Sequence, residues 1–220
     1  MKAKLNFHKP MGRFYVAVLL CVCMVGPAMA APPTLVSLND PVIVPPAGGN
    51  GDSISPAITP DGRFVVFSSS ARDLVAGDND YFALDVFLRD RVNGTTTLVS
   101  ENTSGSGGNG DSSSASVSTN GQYVVFQSDA SDIATGDTNG ATDVFLNDLV
   151  NGAIYSISVA TNGSLGNGAS SDAVMTPDGR YVAFISAANN LVAGDTNNVP
   201  DVFVRDVHNG TTVCASVGAA

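Results

Sequence analysis

The sequence predicts an all-β fold made of β-propeller blades: three four-stranded antiparallel blades and one extra N-terminal strand, together forming a partial propeller. Two observations carry this prediction. The 220-residue chain repeats itself three times, with an offset of 59 and then 58 residues. Its 23 Gly, abundant Ser, Thr, Asn and Asp, and short runs rich in Val and Phe are typical of turns and short strands rather than helices.

The three copies match in register along their whole length, which chance does not produce. The recurring segments are the turns Pro60–Gly62, Thr119–Gly121 and Pro177–Gly179, the apolar runs Phe64–Phe67, Tyr123–Phe126 and Tyr181–Phe184, and the runs Asp85–Asp90, Asp143–Asp148 and Asp201–Asp206. We therefore expect three equivalent blades, at about residues 53–101, 112–159 and 170–217 of a propeller segment that spans 34–220.

Each copy is expected to hold four short strands joined by two tight turns and one long loop. In the first copy the strands are predicted at Ser55–Thr59, Phe64–Ser69, Val86–Arg89 and Thr95–Ser100. Asp-Gly or Asn-Gly dipeptides, which tolerate positive φ, separate the first strand from the second and the third from the fourth. The repeated aromatic residues Phe67, Phe126 and Phe184 are expected in the core between blades.

The two ends of the repeat region bear on closure of the ring. Thr34–Ser37 repeats Thr97–Ser100, so a lone fourth-type strand precedes the first copy, yet the last copy already has its own predicted strand at Thr211–Val217. Three blades are also fewer than the roughly four to eight that close a propeller. We favour a fragment of a longer protein; if the chain is complete, we expect it to close as a homo-oligomer.

Residues 1–30 have the pattern of a secretory signal peptide. Lys2, Lys4, Lys9 and Arg13 precede an apolar run, Phe14–Val25, and Ala28-Met29-Ala30 supplies the cleavage site. The apolar run is too short to span a bilayer, which takes about 20 residues. We expect cleavage after Ala30, no membrane insertion of the mature chain, and a periplasmic or extracellular location.

Removing this leader leaves a strongly acidic chain. Six Arg and no Lys remain against twenty acidic residues, a net charge of −14. A surface of this kind repels nucleic acid and anionic membranes, whose binding proteins need clustered Lys and Arg. It suits a soluble protein, or one that collects divalent cations.

The long loop of each copy contains oxygen-bearing side chains at a spacing that suits a hard cation such as Ca²⁺, which takes six to eight oxygen ligands. The candidate ligands are Asp137, Asn139 and Asp143 in the second copy, Asp195, Asn197 and Asp201 in the third, and the looser set Asp78, Asp80 and Asp85 in the first. The same residue types also form plain turns by bonding their own backbone, so both interpretations stay open.

The sequence contains no recognisable motif of catalytic residues, and we predict no enzymatic activity. His208 is the only histidine after the leader, and no Gly-x-Ser-x-Gly nucleophile elbow is present. Zinc chemistry wants several His or Cys, and the mature chain has only Cys214 besides His208. Two of its many carboxylates could serve a glycosidase, but nothing singles out a pair.

The run Thr176-Pro177-Asp178-Gly179-Arg180-Tyr181-Val182-Ala183-Phe184, followed by Asp201–Asp206, resembles the TolB-type, WD-like β-propeller repeat family. The resemblance covers the three copies and implies a six- or seven-bladed ring in full-length relatives. The middle copy departs from the family pattern at Thr119-Asn120-Gly121.

Such propellers serve as adaptors, as binding modules and as appendages of peptidases. We therefore expect a non-catalytic binding or scaffold module for a protein or glycan, with loops stabilised by Ca²⁺. The alternative is the propeller portion of a larger hydrolase or peptidase whose catalytic domain lies outside this chain.

Overall fold

The computed structural model describes residues 48–76, 78 and 83–218, all within one compact unit, and they contain twelve β-strands and no helix. Blade 1 consists of β1 Ser53–Ile58, β2 Phe64–Ser69, β3 Asp85–Asp90 and β4 Thr95–Leu98; blade 2 of β5 Ser112–Val117, β6 Tyr123–Ser128, β7 Asp143–Asp148 and β8 Ala153–Ser156; and blade 3 of β9 Ser170–Met175, β10 Tyr181–Ser186, β11 Asp201–Asp206 and β12 Thr211–Cys214. No helix in the described ranges is long and apolar enough to cross a membrane.

Each blade is a separate four-stranded sheet in which chain neighbours pair antiparallel, in the order β1-β2-β3-β4 and its two equivalents. The predicted fold class, all-β with three four-stranded antiparallel blades, is confirmed. The predicted extra strand at Thr34–Ser37 and the predicted signal peptide at 1–30 lie outside the described residues.

The first and fourth strands differ in detail from the prediction. The first strand begins earlier, at Ser53, and carries a bulge between Ile54 and Ala57, where Ser55 has a φ of 52°. The fourth strand ends at Leu98, and two residues later the hydroxyl of Ser100 donates to the carboxylate of Asp85 at the start of β3. The pattern of apolar and turn residues in the sequence does not reveal the bulge or the inward-turning serine. Both features recur in the other blades.

Apolar clusters join successive blades. One cluster combines Val66, Val86 and Leu88 of blade 1 with Val124, Phe126 and Phe145 of blade 2. The equivalent cluster combines Val125, Val144 and Leu146 of blade 2 with Val182, Phe184 and Phe203 of blade 3. The predicted core positions Phe67, Phe126 and Phe184 are all at most 2% exposed, and each pairs with a phenylalanine on the third strand of its own blade. Phe126 and Phe184 lie in these clusters between blades, as predicted, whereas Phe67 lies in a cluster that contains only blade 1 residues among those described. Burial of apolar surface stabilises the interfaces between blades 1 and 2 and between blades 2 and 3.

Candidate functional site

The long loop of each blade ends at an aspartate that begins the third strand, and a serine holds that aspartate in place. The serine lies two residues beyond the fourth strand; its hydroxyl donates to the carboxylate and accepts the next backbone N–H of the third strand. The donor–acceptor pairs are Ser100 with Asp85 at 2.5 Å, Ser158 with Asp143 at 2.6 Å and Ser216 with Asp201 at 2.5 Å. This contact fixes the loop end to the sheet in all three blades.

The second loop, residues 129–142, brings the predicted ligands Asn139 and Asp143 together. The side-chain amide of Asn139 donates to Oδ2 of Asp143 at 2.7 Å and to the carbonyl of Gly166 at 2.9 Å. Its carbonyl oxygen accepts the backbone N–H of Ala141 at 2.8 Å, which closes an Asx turn. The oxygen that would face a cation is thus occupied by the turn, so Asn139 acts here as a loop former.

Asp137 supplies the one feature of this loop that the turn leaves unexplained. Its Oδ1 atom is buried and accepts no hydrogen bond. The carboxylate of Asp143 is 1% exposed, and burial together with the negative charge of Asp137 raises its pKa, against the hydrogen bonds from Ser158 and Asn139. Two neighbouring carboxylates with one unpartnered oxygen form an environment that a bound cation would stabilise.

The third loop, residues 187–200, repeats the hydrogen bonds of the second in a more open setting. Asn197 donates to Oδ2 of Asp201 at 2.8 Å and accepts the backbone N–H of Val199. The hydrogen bonds from Ser216 and Asn197 lower the pKa of Asp201, whereas burial raises that of Asp143. The same contacts thus give opposite directions because blade 3 covers Asp143 and no blade in the described residues covers Asp201.

The first loop is the least complete of the predicted sites. Asp78 and Asp85 are 7% and 1% exposed, and Asp85 accepts the hydroxyl of Ser100. Asp80 lies outside the described residues. Across ranges 48–76, 78 and 83–218, no group of three or more His, Cys, Asp or Glu side chains comes together as a metal cluster would require. Metal binding by these loops stays a prediction.

A groove of about 470 Å³ lies at the opposite ends of the strands, between blades 2 and 3, and sequence reasoning did not find it. Two tyrosines, an exposed arginine and an exposed histidine line it beside two carboxylates; the residues are Tyr123, Asp148, Tyr155, Asp178, Gly179, Arg180, Val207 and His208. Tyr155 is 46% exposed, so its ring presents a flat apolar surface to solvent.

Both carboxylates of this groove are held as hydrogen-bond acceptors. Burial raises the pKa of Asp148, but hydrogen bonds from Asn151, Gln122 and the turn backbone outweigh it and lower the pKa. The hydroxyl of Thr176 and the backbone N–H of Arg180 lower the pKa of Asp178. Both groups remain ionised near neutral pH, and neither has the raised pKa that a general acid of glycoside hydrolysis needs.

Departures from the repeat are the sequence signal that could have located this groove. Tyr155 occupies the position of Thr97 and Val213, and His208 occupies that of Val92 and Val150.

No family model and no curated protein matches the chain. Among solved structures, the chain is similar to TolB from Acinetobacter baumannii, with 19% identity, 79% of this chain and 34% of that chain covered, and a TM-score of 0.46. It is also similar to the β-propeller domain of the Trilobed protease from Pyrococcus furiosus (10% identity, 74% and 42% covered, TM-score 0.49) and to the acylaminoacyl peptidase of Pyrococcus horikoshii (11% identity, 74% and 24% covered, TM-score 0.44).

The chain therefore spans between 24% and 42% of the length of these three structures. The three four-stranded antiparallel sheets of the chain are the blade architecture that the predicted TolB-type resemblance implies, so the resemblance is confirmed at the level of the fold.

Proposed function

We propose that this chain is an exported, non-catalytic binding module that recognises a glycan in the groove between blades 2 and 3. The observation that carries the proposal is the lining of that groove. Tyr155 and Tyr123 offer aromatic faces, and Asp178, Arg180 and His208 offer donors and acceptors around them. Apolar ring faces framed by a few polar groups suit sugars, which have apolar faces and hydroxyl edges.

Several features support binding without chemistry at this site. Asp148 already accepts hydrogen bonds from Gln122 and Asn151, and Asp178 accepts one from Thr176. Arg180 is paired with Asp206, whose carboxylate it contacts at 3.1 Å. These polar groups are preorganised by the turns and do not need to rearrange when a ligand binds, which limits the entropic cost of association.

Calcium stabilisation of the loops is a second part of the proposal, restricted to the loop at 129–142. The buried, unpartnered Oδ1 of Asp137 and the adjacent carboxylate of Asp143 support a cation there. The described residues of the third loop, 187–200, contain no such oxygen, and the first loop extends outside the described residues.

The alternative, a propeller portion of a larger hydrolase or peptidase, predicts a different sequence in the flanking part of the gene. It requires a nucleophile elbow with a downstream histidine beyond Ala220, whereas a binding module requires only further repeats or none. Sequencing of the flanking gene distinguishes the two.

The glycan proposal is tested by calorimetric titration with neutral oligosaccharides, since an acidic chain disfavours anionic ones. The probes are chitohexaose, cellohexaose and maltohexaose. We expect at least one to bind, and Tyr155→Ala to weaken that binding about tenfold, the equivalent of about 1.4 kcal/mol of lost ring contact.

Val92→Ala is the matched control, because Val92 is 72% exposed at the same end of blade 1 but lies outside the groove. It should bind the oligosaccharide like the parent chain. Absence of binding by all three probes, or unchanged binding by Tyr155→Ala, contradicts the proposal.

A further inference from the structure

A cleft of about 500 Å³ lies between blades 1 and 2, and it shares no lining residue with the groove between blades 2 and 3. The segment that links blade 1 to blade 2 contributes Glu101 and Thr103 to its lining. Blade 2 contributes Asn147 of β7 and Ile154 of β8. The cleft therefore lies where the linking segment meets the third and fourth strands of the following blade.

An arginine fills the corresponding place between blades 2 and 3. Nη1 of Arg205 donates to the hydroxyl oxygen of Thr212 at 3.0 Å and, less closely, to the carbonyl of Ala160 at 3.4 Å. The hydroxyl of Thr212 donates in turn to the carbonyl of Val159 at 2.5 Å. Val159 and Ala160 belong to the segment that links blade 2 to blade 3, so the guanidinium joins this segment to β11 and β12.

Blade 2 lacks the pair of residues that makes this contact. Blade 1 has the same pair as blade 3, since Nη1 of Arg89 donates to the hydroxyl oxygen of Thr96 at 3.0 Å. In blade 2 the two positions are occupied by Asn147 and Ile154. The shorter amide of Asn147 donates to the carbonyl of Val99 at 2.8 Å. The space that a guanidinium takes up in one interface is thus left open in the other.

Glu101 adds a negative charge to the lining of the cleft. It stands at the position of Val159 and is the only glutamate of the chain. Glu101 is half-buried, and this burial raises the pKa of its carboxyl group. Among residues 48–76, 78 and 83–218, no side chain donates a hydrogen bond to this carboxylate or forms an ion pair with it. A cationic group held in the cleft would therefore stabilise its ionised form.

The linking segment that carries Glu101 is held in a fixed turn. The side-chain oxygen of Asn102 accepts the backbone N–H groups of Ser104 at 2.9 Å and Ser106 at 3.2 Å. The side-chain amide of Asn102 donates to the carboxylate of Asp132 in blade 2 at 3.0 Å. The cleft is therefore preformed, which limits the entropic cost of binding a ligand there.

We infer that the cleft between blades 1 and 2 binds the guanidinium of an arginine side chain from a protein partner, in the place that Arg205 fills between blades 2 and 3. The planar guanidinium matches a carboxylate in two parallel hydrogen bonds, and Glu101 supplies that carboxylate. The acidic chain also attracts basic segments of a partner. This inference is independent of the glycan proposal, because the two sites lie at different interfaces.

The test is an NMR titration of the full chain, labelled with ¹⁵N and purified after export, with the capped peptide acetyl-Gly-Arg-Gly-amide. Salt at about 0.15 M shortens the Debye length to about 8 Å and so weakens non-specific attraction to the acidic surface. We expect the backbone amide signals of Glu101, Thr103 and Asn147 to shift. The same peptide with Lys in place of Arg should bind about fivefold more weakly, since an ammonium cannot form the two parallel hydrogen bonds.

Two variants and a matched control locate the binding. Glu101→Gln keeps the shape of the side chain and should weaken binding of the arginine peptide about tenfold. Asn147→Arg combined with Ile154→Thr copies blade 3, fills the cleft from within and should abolish the shifts. Asp172→Asn removes the same charge at an exposed position of blade 3 and should bind like the parent chain.

Circular dichroism checks that each variant is folded, and Glu101→Gln still decides the question if the double variant does not fold. Equal binding of the arginine and lysine peptides overturns the inference, as do unchanged signals around Glu101 in the parent chain. Binding that Glu101→Gln weakens no more than Asp172→Asn does overturns it as well.

Discussion

The ring of Tyr123 in β6 lies against Gly179, which forms the turn between β9 and β10 of the next blade. An added Cβ at Gly179 would overlap the ring, and the residue has a φ of +73°. Phe64 and Gly121 make the same contact between blades 1 and 2. The glycine of this turn is thus required twice, once for its backbone conformation and once for the approach of the neighbouring blade.

Gly179→Ala separates these two requirements. We expect it to lower the free energy of unfolding by about 2–5 kcal/mol, from roughly 1–2 for the left-handed backbone and roughly 1–3 for the overlap with Tyr123. Urea unfolding followed by circular dichroism measures the loss.

Gly152→Ala is the matched control, because Gly152 has a φ of +65° and nothing within 4 Å of an added Cβ. It should cost only the roughly 1–2 kcal/mol of the backbone component. Equal losses in the two variants would show that Tyr123 does not restrict the turn.

The ion pair between Arg63 and Asp90 makes stability depend on acid pH. The guanidinium contacts the carboxylate at 2.8 Å, and mainly through this bond the pKa of Asp90 falls to about 2. A lowered pKa adds stability above the unfolded-state value of about 3.9 and loses it as the pH falls toward about 2. We expect urea midpoints to decrease across that window.

Arg63→Gln copies the arrangement of blade 2, where Gln122 donates to Asp148 at 3.1 Å. The pKa of Asp90, followed by NMR titration, should rise but stay below its usual value of about 3.9, as the pKa of Asp148 does, and the acid-dependent loss of stability should shrink. Asp206, whose pKa of about 2 depends on Arg180, should be unchanged and serves as the internal control. An unaltered pKa of Asp90 would contradict the assignment to Arg63.

Calcium removal tests the cation at the loop of residues 129–142. A site occupied only in the folded state stabilises by about 2.7 kcal/mol at a hundredfold excess over the dissociation constant, so melting in excess Ca²⁺ should exceed melting in EDTA. Asp137→Asn should abolish the difference. Asp172→Asn, at an exposed aspartate of β9, should retain it.

Identical melting temperatures of the parent chain in Ca²⁺ and in EDTA would remove the cation from the proposal. The hydrogen bonds of Asn139 and Asp143 would then account for the loop as a plain turn.

Strand content and its threefold repetition were determined by the sequence alone. Short apolar runs such as Tyr123–Phe126 and turn dipeptides such as Asp61-Gly62 act locally, so their effect on strands and turns does not depend on distant residues. The bulge at Ser55 was not predictable in this way, because it depends on how the first strand pairs with the second.

The site was determined only by the tertiary structure. Tyr123 and His208 are far apart in the chain and meet in one groove because blade 3 stacks on blade 2. Asp143 and Asp201 each accept hydrogen bonds from the equivalent serine and asparagine of their own blade. Their pKa values nevertheless shift in opposite directions, because a described blade covers only Asp143. Burial by a neighbour is a property of packing, and a repeated sequence cannot show which copies receive it.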